Sequence, residues 1–142
     1  MNLRSNTLEY CVKFGETDRA GIVYYPNYYK WFDMATHAFF KSIHLSMKKL
    51  EVTDQIIIPL LEAHCQFERP LTDDDEVTIV TTVAEVNNKT IKLTHEIFCD
   101  GIRTSHGYEI RGWVKKTENR IAAVPIPDEI KGLLVSNEPI CH

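Results

Sequence analysis

The stretch that decides the fold is Pro26-Asn27-Tyr28-Tyr29-Lys30-Trp31-Phe32-Asp33-Met34-Ala35-Thr36-His37-Ala38-Phe39-Phe40-Lys41-Ser42-Ile43. A proline suits the first turn of a helix, where its missing N–H would have no partner in any case. Apolar side chains then recur at three- and four-residue spacing, which places them on one face of a helix of roughly four or five turns. They are Tyr28, Trp31, Phe32, Ala35, Phe39 and Ile43, with Lys30, Asp33 and Lys41 on the opposite face. A stripe this broad requires a sheet to cover it.

The rest of the chain has the pattern of β-strands. Residues 8–14 alternate apolar and polar side chains and predict a strand that ends at Gly15. Residues 76–86 and 90–99 are rich in β-branched side chains, which are common in strands. Further segments predict an edge or irregular stretch at 55–61, strands at 63–69, 103–115 and 121–124, turns at 70–75, 87–88, 100–101 and 118–119, and a weak helix at 128–134. We therefore expect an α+β fold, in which a curled antiparallel sheet of five or six strands wraps around one long helix.

Size and charge limit the classes of function. At 142 residues, the chain 1–142 has the length of one domain, and 44% hydrophobic content is ordinary for a globular core. A formal charge of −4 provides no positive field for a phosphate backbone or an anionic lipid surface. We therefore expect neither nucleic acid nor membrane as a partner.

Cysteine and carboxylate spacing argues against metal or redox chemistry. Cys11, Cys65, Cys99 and Cys141 are far apart and form no Cys-x-x-Cys pair. The consecutive carboxylates at 73–76 lie in a predicted turn and would point in different directions, so we expect no metal site there. No apolar run approaches the ~18 residues of a spanning helix. These patterns favour a reducing cytoplasm.

The loop before the helix carries the candidate chemistry. Residues 15–28 are Gly-Glu-Thr-Asp-Arg-Ala-Gly-Ile-Val-Tyr-Tyr-Pro-Asn-Tyr, with Asp18 between a strand end and a helix start. The first N–H groups of a helix have no intrahelical partner and favour negative charge nearby. A carboxylate beside such donors could act on a carbonyl group, but the spacing alone favours a turn or capping residue. Glu16 and Thr17 either support Asp18 or only shape the loop.

Residues 14–33, Phe-Gly-Glu-Thr-Asp-Arg-Ala-Gly-Ile-Val-Tyr-Tyr-Pro-Asn-Tyr-Tyr-Lys-Trp-Phe-Asp, resemble the signature of the 4-hydroxybenzoyl-CoA thioesterase family of hotdog-fold proteins. This resemblance implies a hotdog fold and an acyl-CoA thioesterase activity. It implies that Asp18 is the catalytic carboxylate, acting either as a nucleophile on the thioester carbonyl or as a general base on water. It also implies that the Tyr25 N–H holds the thioester oxygen.

The resemblance further implies where the substrate binds. Tyr24, Tyr28 and Asp33 would lie along the acyl group, although Asp33 could equally face solvent. Lys89 and Arg120 would meet the phosphates of CoA, or be ordinary solvated charges. No cofactor is implied, because CoA is part of the substrate. Two chains would join their sheets edge to edge into a homodimer, or further into a homotetramer, with the site at the interface.

Three alternatives to an aromatic acyl-CoA such as 4-hydroxybenzoyl-CoA remain. The first is hydrolysis of short aliphatic acyl-CoA. The second is dehydration of a 3-hydroxyacyl thioester, for which the Asp18 loop has no histidine. The third is a non-catalytic acyl-CoA-binding protein, which would not need Asp18.

Overall fold

The computed structural model describes residues 3–140. Its elements are β1 (Ser5–Cys11), a 3₁₀ turn (Phe14–Glu16), α1 (Pro26–Ser42), α2 (Met47–Asp54), β2 (Ile56–Ile57), β3 (Leu60–Phe67), β4 (Glu76–Val86), β5 (Thr90–Cys99), β6 (Ile102–Gly112), β7 (Val114–Thr117), β8 (Arg120–Ala123) and α3 (Asp128–Val135).

A five-stranded antiparallel sheet in the order β1-β4-β5-β6-β3 covers the apolar face of α1. The short strands β2, β7 and β8 form a second sheet in the order β2-β7-β8. The predicted α+β fold, with one sheet around one long helix, is confirmed. In this order β4 pairs with β1 and β5, and the two edges of the main sheet are β1 and β3.

The predicted secondary structure needs correction at several points. The first strand covers 5–11 instead of 8–14, because the backbone turns at Phe14–Glu16 under a hydrogen bond from Lys13 N–H to the Glu16 carboxylate, 2.8 Å. The predicted strand 103–115 divides at Trp113 into β6 and β7, and the Trp113 N–H donates to the carbonyl of Lys89, in the turn before β5, at 2.9 Å. Helix α2 was not predicted, since it buries only Leu50 and so has little helical periodicity.

The stripe on α1 is buried as predicted and divides the core into two apolar clusters. Trp31 and Phe32, near the start of the helix, pack with side chains from β1, β4 and β5. Phe39 and Phe40, near its end, pack with Trp113 and with residues from α2 and α3. Each half of the helix therefore fastens to a different part of the sheet, which sets the position of its N-terminus.

A buried polar network lies between these clusters. His95 of β5 bonds through Nδ1 to the Thr81 hydroxyl at 2.8 Å and through Nε2 to the Glu109 carboxylate at 3.0 Å. Thr36 of α1 donates its hydroxyl to Glu109, and the His95 ring stacks on Phe32 with centroids 4.6 Å apart. These contacts tie α1 to three strands of the sheet.

Arg111 neutralises the charge of Glu109. Its Nη2 lies 2.8 Å from Glu109 Oε2 and 2.7 Å from Asp33 Oδ1, and its Nη1 donates to the Ile58 carbonyl at 3.0 Å. Burial by itself raises the pKa of the Glu109 carboxyl, but hydrogen bonds from His95 and Arg111 outweigh it and hold the pKa at about 2. The carboxylate is therefore charged inside the core. Without His95 and Arg111 this buried charge would be unpaired, at a large cost in folding free energy.

Substitution of Gly107 is expected to break the packing of β3 on β6. A Cβ there would lie 1.9 Å from the His64 carbonyl oxygen and 2.8 Å from Phe32 Cε2. Gly107→Ala should therefore lower the free energy of unfolding by about 3 kcal/mol or more, measured by urea denaturation. The matched control is Gly132→Ala in α3, where a Cβ meets nothing within 4 Å, and a gain of roughly 0.5–1 kcal/mol is expected. Equal changes in the free energy of unfolding for the two substitutions would contradict the close packing of β3 against Gly107.

The Glu109 carboxylate should make stability depend on acid pH. Its pKa in the folded state lies below the ordinary 4.5, at about 2, so its contribution is present above pH 4.5 and is lost as the pH falls toward 2. That contribution amounts to roughly 3 kcal/mol. Glu109→Gln should be less stable at pH 7, with a difference from wild type that shrinks between pH 4.5 and pH 2 in urea titrations. Glu85→Gln, at an exposed position on β4, should stay within about 0.5 kcal/mol of wild type at pH 7. A pH-independent difference for Glu109→Gln would contradict this account.

Candidate active site

The loop that carries Asp18 is a tight hairpin between the 3₁₀ turn and α1. Thr17 and Val23 form an isolated antiparallel bridge at its base. Asp18 N–H donates to the Ile22 carbonyl at 2.8 Å, and Gly21 N–H returns to the Asp18 carbonyl at 3.0 Å. Gly21 adopts φ +81°, a left-handed conformation that glycine enters without strain. Backbone bonds therefore hold Asp18 in place from both sides.

The Asp18 side chain is exposed, and within residues 3–140 only one of its two carboxylate oxygens accepts a hydrogen bond. Its Oδ1 accepts a hydrogen bond from Ala20 N–H at 2.8 Å, which is the turn contact that spacing alone allowed. No residue between 3 and 140 donates to Oδ2. One carboxylate oxygen thus orients the group, and the other is free to meet a substrate or a water molecule.

The start of α1 presents one open backbone donor. Pro26 has no N–H, Asn27 N–H bonds to the Tyr24 carbonyl at 3.0 Å, and Tyr28 N–H bonds to the Tyr25 carbonyl at 3.1 Å. Within the described residues, no group accepts a hydrogen bond from Tyr25 N–H. This donor lies at the positive end of the helix dipole, where an oxygen that gains negative charge would be stabilised.

A cleft of about 290 Å³ opens beside the Asp18 loop and the start of α1. Its lining comes from the loop, from the first turn of α1 and from the segment that follows β3; the residues are Ile22, Val23, Tyr25, Tyr28, Phe67, Glu68, Arg69 and Pro70. The Phe67 ring stands edge-on to Tyr28, with centroids 4.9 Å apart. Sequence reasoning assigned residues 67–70 no part in the site, because only the pairing of β3 with β6 brings them to α1.

The three tyrosines of this region differ in their surroundings. Tyr24 and Tyr25 have exposed rings in edge-to-face contact, with centroids 5.3 Å apart. Tyr28 is buried at the base of the cleft, and burial, together with the charges of Cys65 and Asp75, raises the pKa of its hydroxyl to about 12. Tyr28 therefore forms a neutral wall of the cleft.

Asp33 lies two turns further along α1, beside a second cleft. Its Oδ1 contacts Arg111 and its Oδ2 lies 3.6 Å from His37 Nε2. The second cleft measures about 410 Å³ and is lined by His37, Met47, Lys48, Glu51, Ile57, Ile58, Pro59 and Arg111. Contact between Asp33 and an acyl group remains a prediction; within one chain, Asp33 does not line the cleft next to Asp18.

Lys89 and Arg120 lie far from Asp18 within one chain. Lys89 is in the turn after β4, whereas the Asp18 loop adjoins the start of β4, where Val12 N–H bonds to the Asp75 carbonyl. The eleven residues of β4 span about 35 Å at the usual rise of a strand. Arg120 begins β8, at the end of the β7–β8 ribbon away from Trp113. The structure thus does not bring these cations to Asp18 in a single chain.

Cysteines and carboxylates away from this loop show no comparable arrangement. Between residues 3 and 140, no cluster of histidine, cysteine and acidic side chains could hold a metal ion, and no helix in that range is long and apolar enough to cross a membrane. Cys11, Cys65 and Cys99 are free thiols, and burial raises the pKa of Cys65 to about 12; Cys141 lies outside the described residues.

Comparison with known proteins places the chain in a family. The family model described as "thioesterase-like superfamily" matches residues 12–134. The 4-hydroxybenzoyl-CoA thioesterase of Pseudomonas sp. (strain CBS-3) is 28% identical over 134 residues, which cover 93% of this chain and 92% of that protein.

Two solved structures are similar over nearly their whole length. A gentisyl-coenzyme A thioesterase superposes with a TM-score of 0.81 at 38% identity and covers 89% of this chain and 99% of its own. A 4-hydroxybenzoyl-CoA thioesterase, with one aspartate changed to asparagine and 4-hydroxybenzoyl-CoA bound, superposes with a TM-score of 0.85 at 28% identity and covers 92% and 99%. The resemblance found in residues 14–33 is thereby confirmed, and this chain belongs to the thioesterase-like superfamily as a hotdog-fold thioesterase.

Proposed function

We propose that the protein hydrolyses an acyl-CoA to a carboxylic acid and free CoA, with Asp18 and the Tyr25 N–H as its catalytic groups. The observation that carries this proposal is that one cleft is lined both by the loop that carries Asp18, through Ile22 and Val23, and by Tyr25. Among the described residues, no group donates to Asp18 Oδ2 and none accepts from the Tyr25 N–H. The names of the similar proteins, which act on 4-hydroxybenzoyl-CoA and gentisyl-CoA, support the same class of substrate.

In this mechanism, the thioester carbonyl oxygen accepts a hydrogen bond from Tyr25 N–H. Negative charge grows on that oxygen as the carbonyl carbon is attacked, and one such donor contributes about 10²–10³ to the rate. In the nucleophilic route, Asp18 Oδ2 forms a bond to the carbonyl carbon, the C–S bond breaks, and water then hydrolyses the mixed anhydride. In the general-base route, Asp18 takes a proton from the attacking water. The thiolate leaves without a strong acid, since thiols have a pKa of about 8.5.

We favour an aromatic acyl group that carries a hydroxyl. The cleft wall supports this choice, because Phe67, Tyr28 and Tyr25 offer ring faces and edges that pair well with an aryl group. The acyl groups named for the similar thioesterases are also hydroxylated aromatic acids.

We further propose that the working form is a dimer, or a tetramer made of two such dimers, with each dimer joined along β3. This strand is an edge of the main sheet, and its side chains Leu60, Leu61 and Phe67 are 48%, 59% and 47% exposed. An apolar edge strand with unpaired backbone groups favours pairing with another strand. Because Phe67 also lines the Asp18 cleft, such pairing would bring a second copy to the site. Lys89 or Arg120 could then reach the phosphates of CoA only from another copy.

Replacement of Asp18 tests the catalytic assignment. Asp18→Asn keeps the size of the side chain but loses the charge needed for attack or proton removal, so kcat should fall by about 10²–10⁴. The measurement is release of free thiol, followed with a chromogenic reagent, from a panel of aryl, short-chain and long-chain acyl-CoAs. Asp73→Asn, in the exposed turn before β4, is the matched control and should stay within about twofold of wild type. The assignment is wrong if wild type releases no CoA from any substrate, or if Asp18→Asn is as fast as wild type.

A charge on the β3 edge tests the assembly. Leu61→Glu places a carboxylate where the partner strand would pack, so the variant should elute from a sizing column as a monomer and lose at least about tenfold in kcat/KM. Val52→Glu is the control, because Val52 is 69% exposed and belongs to α2 instead of β3. A wild-type protein that is monomeric and fully active would exclude the interface site.

A further inference from the structure

Glu16, two residues before Asp18, has a buried carboxylate that binds groups from three separate parts of the fold. It is 4% exposed. Tyr10 of β1 donates its hydroxyl to both oxygens at 2.9 Å, and Lys13 N–H donates to Oε1 at 2.8 Å. From α1, Trp31 Nε1 lies 2.8 Å and Lys30 Nζ 2.7 Å from Oε2. Burial raises the pKa of this carboxyl, but these donors outweigh it and hold the pKa at about 2.

The carbonyl oxygen of the same residue accepts hydrogen bonds from residues on both sides of Tyr25, the proposed oxyanion donor. Tyr24 N–H and Asn27 Nδ2 both donate to the Glu16 carbonyl, each at 2.9 Å. Tyr25 lies between these two contacts along the chain. The direction of the Tyr25 N–H is therefore set by the position of the Glu16 peptide group, and the Asp18 hairpin begins one residue after it.

We infer that Glu16 is a positioning residue that fixes the Tyr25 N–H relative to the Asp18 carboxylate. The inference rests on the proposed function, since it matters only if those two groups act on one thioester. Its physical basis is that, among the described residues, the other hydrogen bonds of the Asp18 hairpin run within residues 14–24 and to Leu71, whereas the Tyr25 donor caps the start of α1. The carboxylate and carbonyl of Glu16 link β1, this hairpin and α1 at a single residue. A misplacement of about 1 Å between catalytic groups can cost about 10²-fold in rate.

Glu16→Gln is the principal test. All four groups around the carboxylate are donors. An amide would place its own N–H₂ against either the Lys13 side or the Trp31 side, and the loop must move to relieve the conflict. We expect kcat for the best acyl-CoA to fall about 10²-fold, with KM changed by less than about threefold. Glu16→Asp, which keeps the charge but shortens the reach, should recover part of this loss.

Asn27→Ala provides a second variant that leaves the buried carboxylate intact. It removes one of the two donors to the Glu16 carbonyl, at a partly exposed position in the first turn of α1. We expect kcat to fall about tenfold with little change in Tm, because alanine is a good helix residue.

Leu134→Ala is the control for a general loss of stability. Leu134 is fully buried in α3 and belongs to the other apolar cluster, remote from Glu16. Its truncation should lower Tm through a cavity while kcat, measured at a temperature where the variant is folded, stays within about twofold of wild type.

Amide hydrogen exchange supplies a readout that does not need activity. Exchange of the Tyr24 N–H should accelerate in Glu16→Gln and in Asn27→Ala, and should be unchanged in Leu134→Ala. An active wild type, together with a Glu16→Gln variant that keeps kcat within twofold or loses no more than Leu134→Ala, would overturn this inference alone. A wild type that releases no CoA would overturn the proposed function and the catalytic part of the inference, while exchange at Tyr24 would still show whether Glu16 holds the loop.

Discussion

Burial of the aromatic face of α1 under the five-stranded sheet is the contact on which the rest of the structure depends. It removes Trp31 and the three phenylalanines of the helix, Phe32, Phe39 and Phe40, from water at once, and each such side chain contributes about 1.5–3 kcal/mol when fully buried. The helix cannot rotate or slide without exposing this surface. Its first turn is consequently held beside the hairpin of Asp18, and a backbone N–H becomes a fixed electrostatic feature of the cleft.

Two buried carboxylates reinforce this contact in different ways. Glu109 lies between α1 and the middle of the sheet and is neutralised by Arg111, so it specifies how the helix sits on β5 and β6. Glu16 lies near the start of α1, and its carboxylate instead binds the Lys30 ammonium, the Trp31 indole N–H and the Tyr10 hydroxyl. Both are costly to bury and tolerable only with every partner in place. Each therefore selects one arrangement of α1 among those that hydrophobic burial alone would permit.

The length of β4 separates Lys89 from the Asp18 loop within a single chain. The Asp18 loop adjoins the start of β4, and Lys89 lies just past its end, so the two lie toward opposite ends of the sheet. A CoA held by both would have to bridge two copies. The exposed apolar edge of β3, which also supplies Phe67 to the cleft, is consistent with that arrangement.

Local features of the sequence determined the helix at 26–42, the strands at 76–86 and 90–99 and the loop of Asp18, because periodicity and turn chemistry act over a few residues. The resemblance in residues 14–33 added the family. Only the tertiary structure decided the surroundings of Glu16, the His95–Glu109–Arg111 network and the contribution of residues 67–70 to the cleft. These join residues far apart in the chain, and no local pattern records which strand edge or carboxylate a distant side chain will meet. These contacts depend on the burial of α1, because it brings these distant residues to one helix.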